Sequence, residues 1–347
     1  MATSLQRGAA LALAAAALFG LTTPAIARAS RGVGPFATAA CLYGGAALAA
    51  ALLRASRRRS GAALTRQSLP WLGGSALFGA LLAPSLLAWG ITRAGPTPAS
   101  LTLNLEAVAT VLLARLLFSE PIGTRVAFAI ASMLAGGTLL ALDVAQRSTP
   151  ELLGVIAVAG ATLAWAVDNT LLRGLADNDP LEVVALKGAS GGTISLSIAV
   201  LRAEGMPQLA QLLALGGCGA LGFGVSLQLY LLAQRQIGVA RTGSLFALAP
   251  FVGAVLSWLL GDRGAGGAAF LGAAAFAFGV WLHVTERHAH PHRHVPIEHE
   301  HLHRHDDGHH DHVHEPRVSG AHSHRHRHDA VEHEHEHAPD VHHDHGH

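Results

Sequence analysis

The sequence predicts an all-α membrane protein of ten transmembrane helices, arranged as two inverted five-helix repeats, followed by a disordered histidine-rich tail. Half of the 347 residues are hydrophobic and only 14% are charged, well below the roughly 25% that is usual in soluble domains. Apolar stretches of about 20 residues recur, each long enough to cross the hydrocarbon of a bilayer as a helix. All 24 histidines lie between His283 and His347, which separates an apolar body from a polar tail.

The ten predicted helices are separated by short links. They lie near residues 9–27, 34–53, 69–92, 97–118, 125–144, 152–172, 180–201, 208–233, 239–260 and 265–284. Glycine and alanine dominate these stretches, and small residues allow helices to approach closely inside a membrane. A soluble all-helical protein would instead need a polar face on each helix, which these stretches lack.

An internal repeat relates the two halves of the body. Residues 18–35 align with residues 163–180 at a constant offset of 145, and a proline opens the next helix in both. Because five is an odd number, the two halves enter the membrane in opposite senses. Inverted repeats of this kind are characteristic of secondary transporters, whose substrate site lies between the halves near the midplane. The sequence therefore divides into a first repeat, a second repeat and the tail, at 1–146, 147–284 and 285–347.

Two interpretations of the N-terminus are open. Arg7, the apolar run after it and the small residues at 25–27 resemble a signal peptide with its cleavage site. Cleavage would leave nine helices and put the tail outside. Retention as the first helix is favoured, because residues 9–27 are the repeat partner of the sixth helix.

Arginine placement orients the body. The second link carries five arginines, against two in the first link and one in the third. By the positive-inside rule the second link is cytoplasmic, and with ten helices so are both termini. We expect a multi-pass protein of a bacterial-type inner (plasma) membrane.

The motifs of the body resemble those of the EamA family of the drug/metabolite transporter superfamily, over about residues 9–284. The segments that carry the resemblance are Trp165-Ala166-Val167-Asp168-Asn169, Lys187-Gly188, Leu103-Asn104-Leu105-Glu106, Ser119-Glu120-Pro121, Ala240-Arg241-Thr242-Gly243 and Ala249-Pro250-Phe251. The resemblance implies ten helices in two repeats and secondary transport. Glu106 stands where this family commonly has proline, which indicates a subgroup with a polar centre.

Charged residues inside the predicted helices are the first candidates for a pathway, because unpaired charge in a membrane is costly. Lys187, the only lysine of the chain, and Asp168 both fall within about two turns of the predicted cytoplasmic side. We predict that they form a buried pair that a translocated proton or cation could open. Trp165 and Asn169 share a helical face with Asp168. The alternatives are a lysine that snorkels to the surface and a pair that only fixes helix packing.

Four further residues complete the candidate pathway or border it. Glu106 is predicted near mid-membrane, where a carboxyl group suits a proton carrier or a cation ligand; the alternative is a protonated acid that hydrogen-bonds between helices. Gln228 and Arg241 are assigned to the pathway, although Arg241 lies close to a helix end, where snorkelling is common. Asp262, at a span end, is expected to cap or pack.

The tail is built from metal ligands. Alternate residues of an extended chain share one side, so each His-x-His can offer two imidazoles to one ion. Imidazole suits zinc, nickel and similar divalent transition metals, whereas so few apolar residues predict disorder without metal. The alternative is a tail that only solubilises the protein or responds to pH. The proposed ligands are His299, His301, His303, His305, His322, His324, His326, His328, His333, His335, His337, His342, His343, His345 and His347.

Three functions compete at this stage. The first is transport of a small organic metabolite, with a metal-buffering or regulatory tail; the second is transport of a divalent metal fed by the tail; the third is a membrane-anchored metal store or sensor. The third is least favoured because an anchor needs only one helix. No catalytic constellation and no phosphate-binding glycine motif appear, so we expect no enzyme activity, no required cofactor and no nucleic-acid partner. Lipid, solute and metal are the expected partners, and a homodimer is possible.

Overall fold

A computed structural model describes residues 2–56, 62, 64–118, 122–146, 148–175, 178–237, 239–262, 266–284, 289–293, 297–303, 322–328 and 332–336. The chain forms two compact units, Met1–Glu286 and Arg287–His347. We call them the body and the tail and describe each by itself.

Eight helices of the described body are long and apolar enough to cross a membrane. We number them spans 1 to 8: Gln6–Ala29, Pro35–Ala55, Arg66–Ala94, Pro96–Leu117, Thr124–Ala145, Thr149–Leu172, Pro180–Leu201 and Leu209–Ala233. The helix of span 1 begins at Ala2, and that of span 8 ends at Ile237. Proline occupies the first position of spans 2, 4 and 7, where its missing N–H costs no helical hydrogen bond.

Shorter helices lie where the ninth and tenth transmembrane helices are predicted. Span 9 consists of two pieces, Val239–Phe246 and Ala249–Leu259, and span 10 is Gly267–Val284. The interruption in span 9 lies at residues 247–248, just before Pro250, which has no N–H to donate to the carbonyl oxygen of Phe246 four residues earlier. The described body is therefore helical as predicted, but eight helices rather than ten meet the length needed to cross a bilayer.

The most extensive helix contacts always join the two repeats. Span 2 packs on span 7, span 5 on span 10, span 3 on span 6, and span 1 on span 8. Spans 1–5 of the first repeat correspond to spans 6–10 of the second. Exchanging the repeats therefore leaves the pairs 2–7 and 5–10 unchanged and converts the pair 3–6 into the pair 1–8. This is the arrangement expected of inverted repeats related by a pseudo-two-fold axis.

Small residues make these close contacts possible. Where spans 2 and 8 cross, a Cβ at Gly45 would overlap the backbone of Gly216, and a Cβ at Gly219 would overlap that of Leu42. Close approach of backbones through glycine is how membrane helices gain packing energy without a hydrophobic driving force.

Helical irregularities recur at matching positions of the two repeats. Span 3 contains a π-helical turn at Ala76–Leu82, and span 8 contains one at Gly219–Val225, 143 residues later. Span 4 changes from the helix Pro96–Thr102 to the helix Leu105–Phe118, 144 residues before the break in span 9. Paired interruptions of this kind point to the binding site of a secondary transporter.

The tail contains four short strands, where the sequence predicts disorder. They are β1 (Ala289–Arg293), β2 (Ile297–His303), β3 (His322–His328) and β4 (Glu332–Glu336). β1 pairs with β4 and β2 with β3, both antiparallel. The register places Glu298 opposite Arg327 and Glu300 opposite Arg325.

Candidate substrate site

A buried ion pair lies inside the body, as predicted. Lys187 of span 7 donates from Nζ to Oδ2 of Asp168 in span 6, and the two side chains are only 5% and 4% exposed. Ser75 of span 3 donates from Oγ to the other carboxylate oxygen at 2.5 Å. Both oxygens of Asp168 therefore have partners, which offsets part of the cost of burying the charge.

Gly79 allows the three spans to meet at this pair. It lies in the π-helical turn of span 3. A Cβ there would overlap Oδ2 of Asp168 and lie 2.7 Å from Nζ of Lys187. Its carbonyl oxygen accepts a hydrogen bond from Nε1 of Trp165 at 3.2 Å. Sequence reasoning missed Gly79 and Ser75. The available signal for Gly79 was Gly222, its counterpart at an offset of 143 in the other repeat.

Glu106 lies beside the ion pair, in contact with the neighbour of Asp168. Asn169 donates from Nδ2 to Oε1 of Glu106 at 2.8 Å. Glu106 is half-buried and Asn169 is exposed. The shared helical face predicted for span 6 therefore divides: Asp168 turns toward spans 3 and 7, while Asn169 turns toward span 4. Adjacent helical residues differ by about 100° in direction, so one helix can serve two partners.

The break in span 4 adds an unsatisfied polar atom at Asn104, two residues before Glu106. Asn104 is 4% exposed. Its Nδ2 donates to the carbonyl oxygen of Leu101 at 3.0 Å, but its Oδ1 has no hydrogen-bond partner among the described residues. A buried amide oxygen without a partner is unusual.

Aromatic rings from five spans form a cluster around Trp165, which lies one turn from Asp168. The ring centroid of Phe19 is 6.3 Å from that of Trp165 and 5.5 Å from that of Phe223. Tyr43 contacts Phe223 at 5.5 Å, and Phe246 contacts Phe19 at 5.5 Å. This aromatic cluster provides an apolar wall next to a concentrated group of charges.

The remaining predicted pathway residues are less directly connected. Gln228 is buried in span 8, and no described hydrogen bond joins it to the ion pair. Arg241 lies in the first helix of span 9, but its side chain is outside the described residues. Asp262 caps the start of span 4, accepting a hydrogen bond from the backbone N–H of Thr97 at 2.8 Å, which confirms the capping role expected for it.

The metal ligands predicted in the tail divide into two groups. Nine of the fifteen lie in β2, β3 and β4, whereas His305, His337, His342, His343, His345 and His347 lie outside the described residues. The register sets His299 opposite His326 and His301 opposite His324. Within the part of the chain whose side chains are described, no group of three or more histidine, cysteine or acidic residues could hold a metal ion.

Comparison with known proteins agrees with this geometry. The family model of the EamA-like transporter family matches residues 6–142 and, in a second copy, residues 152–285. An uncharacterized transporter of Methanothermobacter thermautotrophicus is 26% identical over 194 residues. That alignment covers 54% of this chain and 56% of the relative, so it spans little more than half of the relative's length. A solved crystal structure of a protein superimposes with a TM-score of 0.58 at 22% identity, covering 82% of this chain and 98% of the other. At that identity the likeness concerns the fold alone.

Proposed function

The chain belongs to the EamA-like transporter family, and on that basis we propose that it is a secondary-active carrier of a small organic solute. The observation that carries this proposal is the Lys187–Asp168 pair, held in an apolar body beside Glu106 and next to paired helix irregularities. Ionisable groups inside a membrane are expensive, and they mark substrate and ion pathways.

The chemistry of the site favours an organic solute over a metal ion. Lys187 offers one positive charge to an anionic group, whereas Glu106 and Asn104 offer oxygens to a donor. The aromatic cluster beside them suits an apolar portion of the same solute. No histidine precedes residue 283, and the two cysteines of the body lie outside the ion pair and its hydrogen bonds. A soft divalent metal would therefore lack the ligands that it prefers.

The ion pair can act as a switch between two states. When a solute carboxylate engages Lys187, Asp168 loses its partner and becomes available to a proton or another cation. Because a ligand moves a conformational equilibrium only through unequal contacts in its two states, this exchange of partners can couple binding to movement of the repeats. Ser75 and Asn169 hold the two carboxylates in place during the exchange.

The test compares the contents of membrane vesicles. Inside-out and right-side-out vesicles from expressing cells are incubated in a metabolite extract. The solutes that accumulate inside them over time are identified by untargeted mass spectrometry. We expect at least one organic solute to accumulate with the native chain but not with Lys187→Met. Ser197→Ala is the matched control, since Ser197 is an exposed residue of the same span whose hydroxyl donates to the carbonyl oxygen of Thr193 at 3.0 Å. Equal contents in native and Lys187→Met vesicles would refute the proposal.

We further propose that the tail buffers metal or regulates the carrier in response to it. The support is the histidine-against-histidine register of β2 and β3, since directly paired residues of an antiparallel ladder lie close together. Zinc or nickel influx into proteoliposomes with a trapped responsive dye separates this role from metal transport. We expect binding without influx in the full chain. Influx that slows when the chain is truncated after Arg287 and stops with Glu106→Gln would instead establish a metal carrier fed by its tail.

Acidification provides a direct test of tail metal binding. Metal coordinates neutral imidazole, and an unperturbed histidine gains its proton near a pH of about 6.5. Zinc bound per chain, measured by equilibrium dialysis, should fall steeply from pH 7.5 to pH 5.5 in the full-length protein. The chain truncated after Arg287 should bind little zinc at either pH, and pH-independent binding by the full chain would contradict the assignment to imidazole.

We also propose an inner-membrane location with both termini in the cytoplasm, and retention of residues 1–27. The arginine-rich second link supports the orientation. The family match that begins at residue 6 and the packing of span 1 on span 8 support retention. Reporter fusions at the C-terminus, active on only one side of the membrane, and N-terminal sequencing of the purified chain test the two points separately.

A further inference from the structure

We propose that the cavity between the first link and the ends of spans 3 and 9 binds the carboxylate of an organic solute. This cavity has a volume of about 580 Å³, within the range of small-molecule sites. Arg28 in the last turn of span 1, and Ser30 and Arg31 of the first link, line one side. The inference rests on the proposed function only in calling the bound molecule a solute of the carrier, because the binding site itself is defined by its own residues.

The charges that line the cavity favour an anion. Arg28 and Arg31 contribute two guanidinium groups, and Asp262 is the one acidic residue among the described residues of the lining. Asp262 is already engaged by the backbone N–H of Thr97 at 2.8 Å, whereas Arg28 uses one of its N–H groups on the carbonyl oxygen of Leu260 at 3.0 Å. Guanidinium has five N–H donors in a planar fork that matches a carboxylate, so Arg28 retains donors for a ligand.

A buried hydroxyl provides independent evidence for a ligand. Ser30 is 1% exposed and lines the cavity, yet its Oγ has no hydrogen-bond partner among the described residues. Buried hydroxyl groups are nearly always paired. A carboxylate oxygen held between the two arginines would accept the hydrogen bond that Ser30 lacks.

The first link is also fixed in shape before any ligand arrives. Gln211, at the start of span 8, donates from Nε2 to the carbonyl oxygens of Ala29 at 3.1 Å and Arg31 at 2.9 Å. The Ser30 N–H donates to the carbonyl oxygen of Ile26 at 2.9 Å. A rigid link lowers the entropy lost on binding. Apolar lining residues, among them Val33 and Ile91, favour an organic carboxylate over a small inorganic anion.

Photo-crosslinking of the full-length protein in lipid nanodiscs tests this site without requiring transport. The probe is 4-azidobenzoate, and labelled peptides are located by mass spectrometry. We expect labelling of the segments that line the cavity, near residues 24–33, 91–96 and 257–262. Benzoate should compete, whereas its neutral isostere benzamide and inorganic phosphate should not. Competition by benzamide as strong as by benzoate would overturn the anion assignment, and competition by phosphate alone would overturn the assignment to an organic solute.

Substitutions separate this site from the central one. Arg31→Gln, at an exposed position, should weaken labelling about tenfold, the size of one charged hydrogen bond, and Arg31→Lys should restore part of it. Arg202→Gln removes an exposed arginine outside the cavity and should leave labelling unchanged. Glu106→Gln, which should change stability by less than about 1 kcal/mol, should lower transport but not labelling, so failure of the central mechanism and failure of this site give different results. Undiminished labelling in Arg31→Gln and in Arg28→Gln would refute the site.

Discussion

The ion pair and its counterpart in the other repeat use one backbone arrangement for two different chemistries. In span 3, the glycine of the π-helical turn lies against Asp168 and Lys187; in span 8, the matching Gly222 lies against Thr22, whose Oγ1 donates to the carbonyl oxygen of Phe19 at 2.6 Å. Each turn lies in the third span of its own repeat and brings that span close to the first span of the opposite repeat. Only one of them holds charge.

The difference extends to the residue that supplies the positive charge. At the offset of 144, Lys187 corresponds to Tyr43, which is buried and belongs to the aromatic cluster. One repeat therefore contributes charges to the centre of the body, and the other contributes rings and a hydroxyl that bonds its own helix. The duplicated scaffold sets where backbones approach each other, while the side chains at those positions set what can bind.

The largest expected effect comes from breaking the ion pair. Lys187→Met leaves Asp168 buried without its cation, and loss of one member of a buried pair costs about 3–5 kcal/mol. We expect a clear fall in the thermal unfolding temperature of the purified protein and loss of transport. Adding Asp168→Asn should recover most of the stability without recovering transport. A double variant as unstable as Lys187→Met would show that the pair does not set the stability of this region.

A matched pair of glycine substitutions compares the two turns directly. The added Cβ of Gly79→Ala would overlap the Asp168 carboxylate, and that of Gly222→Ala would lie 2.7 Å from Cγ2 of Thr22. Both should cost about 1–3 kcal/mol by overpacking, measured as unfolding in detergent. Transport should be lost only with Gly79→Ala, and equal loss in both would mean that the turns act as helix bends rather than as supports for the charges.

Glu106→Gln tests whether charge or packing matters at the break in span 4. Glutamine can still accept the hydrogen bond from Asn169, so stability should change by less than about 1 kcal/mol. Solute accumulation in vesicles should nevertheless fall at least about tenfold if a charge there acts in the transport cycle. Leu112→Gln, at an exposed position further along span 4, serves as the control. Normal transport by Glu106→Gln would reduce Glu106 to a packing residue.

The smallest expected effect concerns the link between the aromatic cluster and the ion pair. Trp165→Phe keeps the ring but removes the hydrogen bond to the Gly79 carbonyl oxygen, a loss of about 1 kcal/mol, and should lower the transport rate a few-fold. Trp281→Phe is the control, at a half-exposed tryptophan of span 10 that stacks on Phe278. It should lower neither the stability nor the transport rate. A similar decrease in both variants would indicate a general packing effect.

Several features of the site follow from the sequence alone. Lys187 and Asp168 are conspicuous as charges in long apolar stretches, and their similar distance from one membrane surface follows from counting residues along two antiparallel helices. Ser75 and Gly79 carry no such signal, because serine and glycine are common in these spans. The sequence also could not predict that Asp168 and Asn169 contact different spans. Helical spacing gives the relative directions of two side chains but not which helix lies in each direction.

The sequence by itself determined that the body is a bundle of membrane helices built from two repeats, because hydrophobic length and repeat offset are properties of the chain alone. It also identified the charged residues that are candidates for burial. The tertiary structure decided their partners, and it decided that spans 4 and 9 are interrupted and that one turn in span 3 widens around Asp168. Those outcomes depend on contacts between helices far apart in sequence, where a buried carboxylate, a lysine and a glycine must fit against one another.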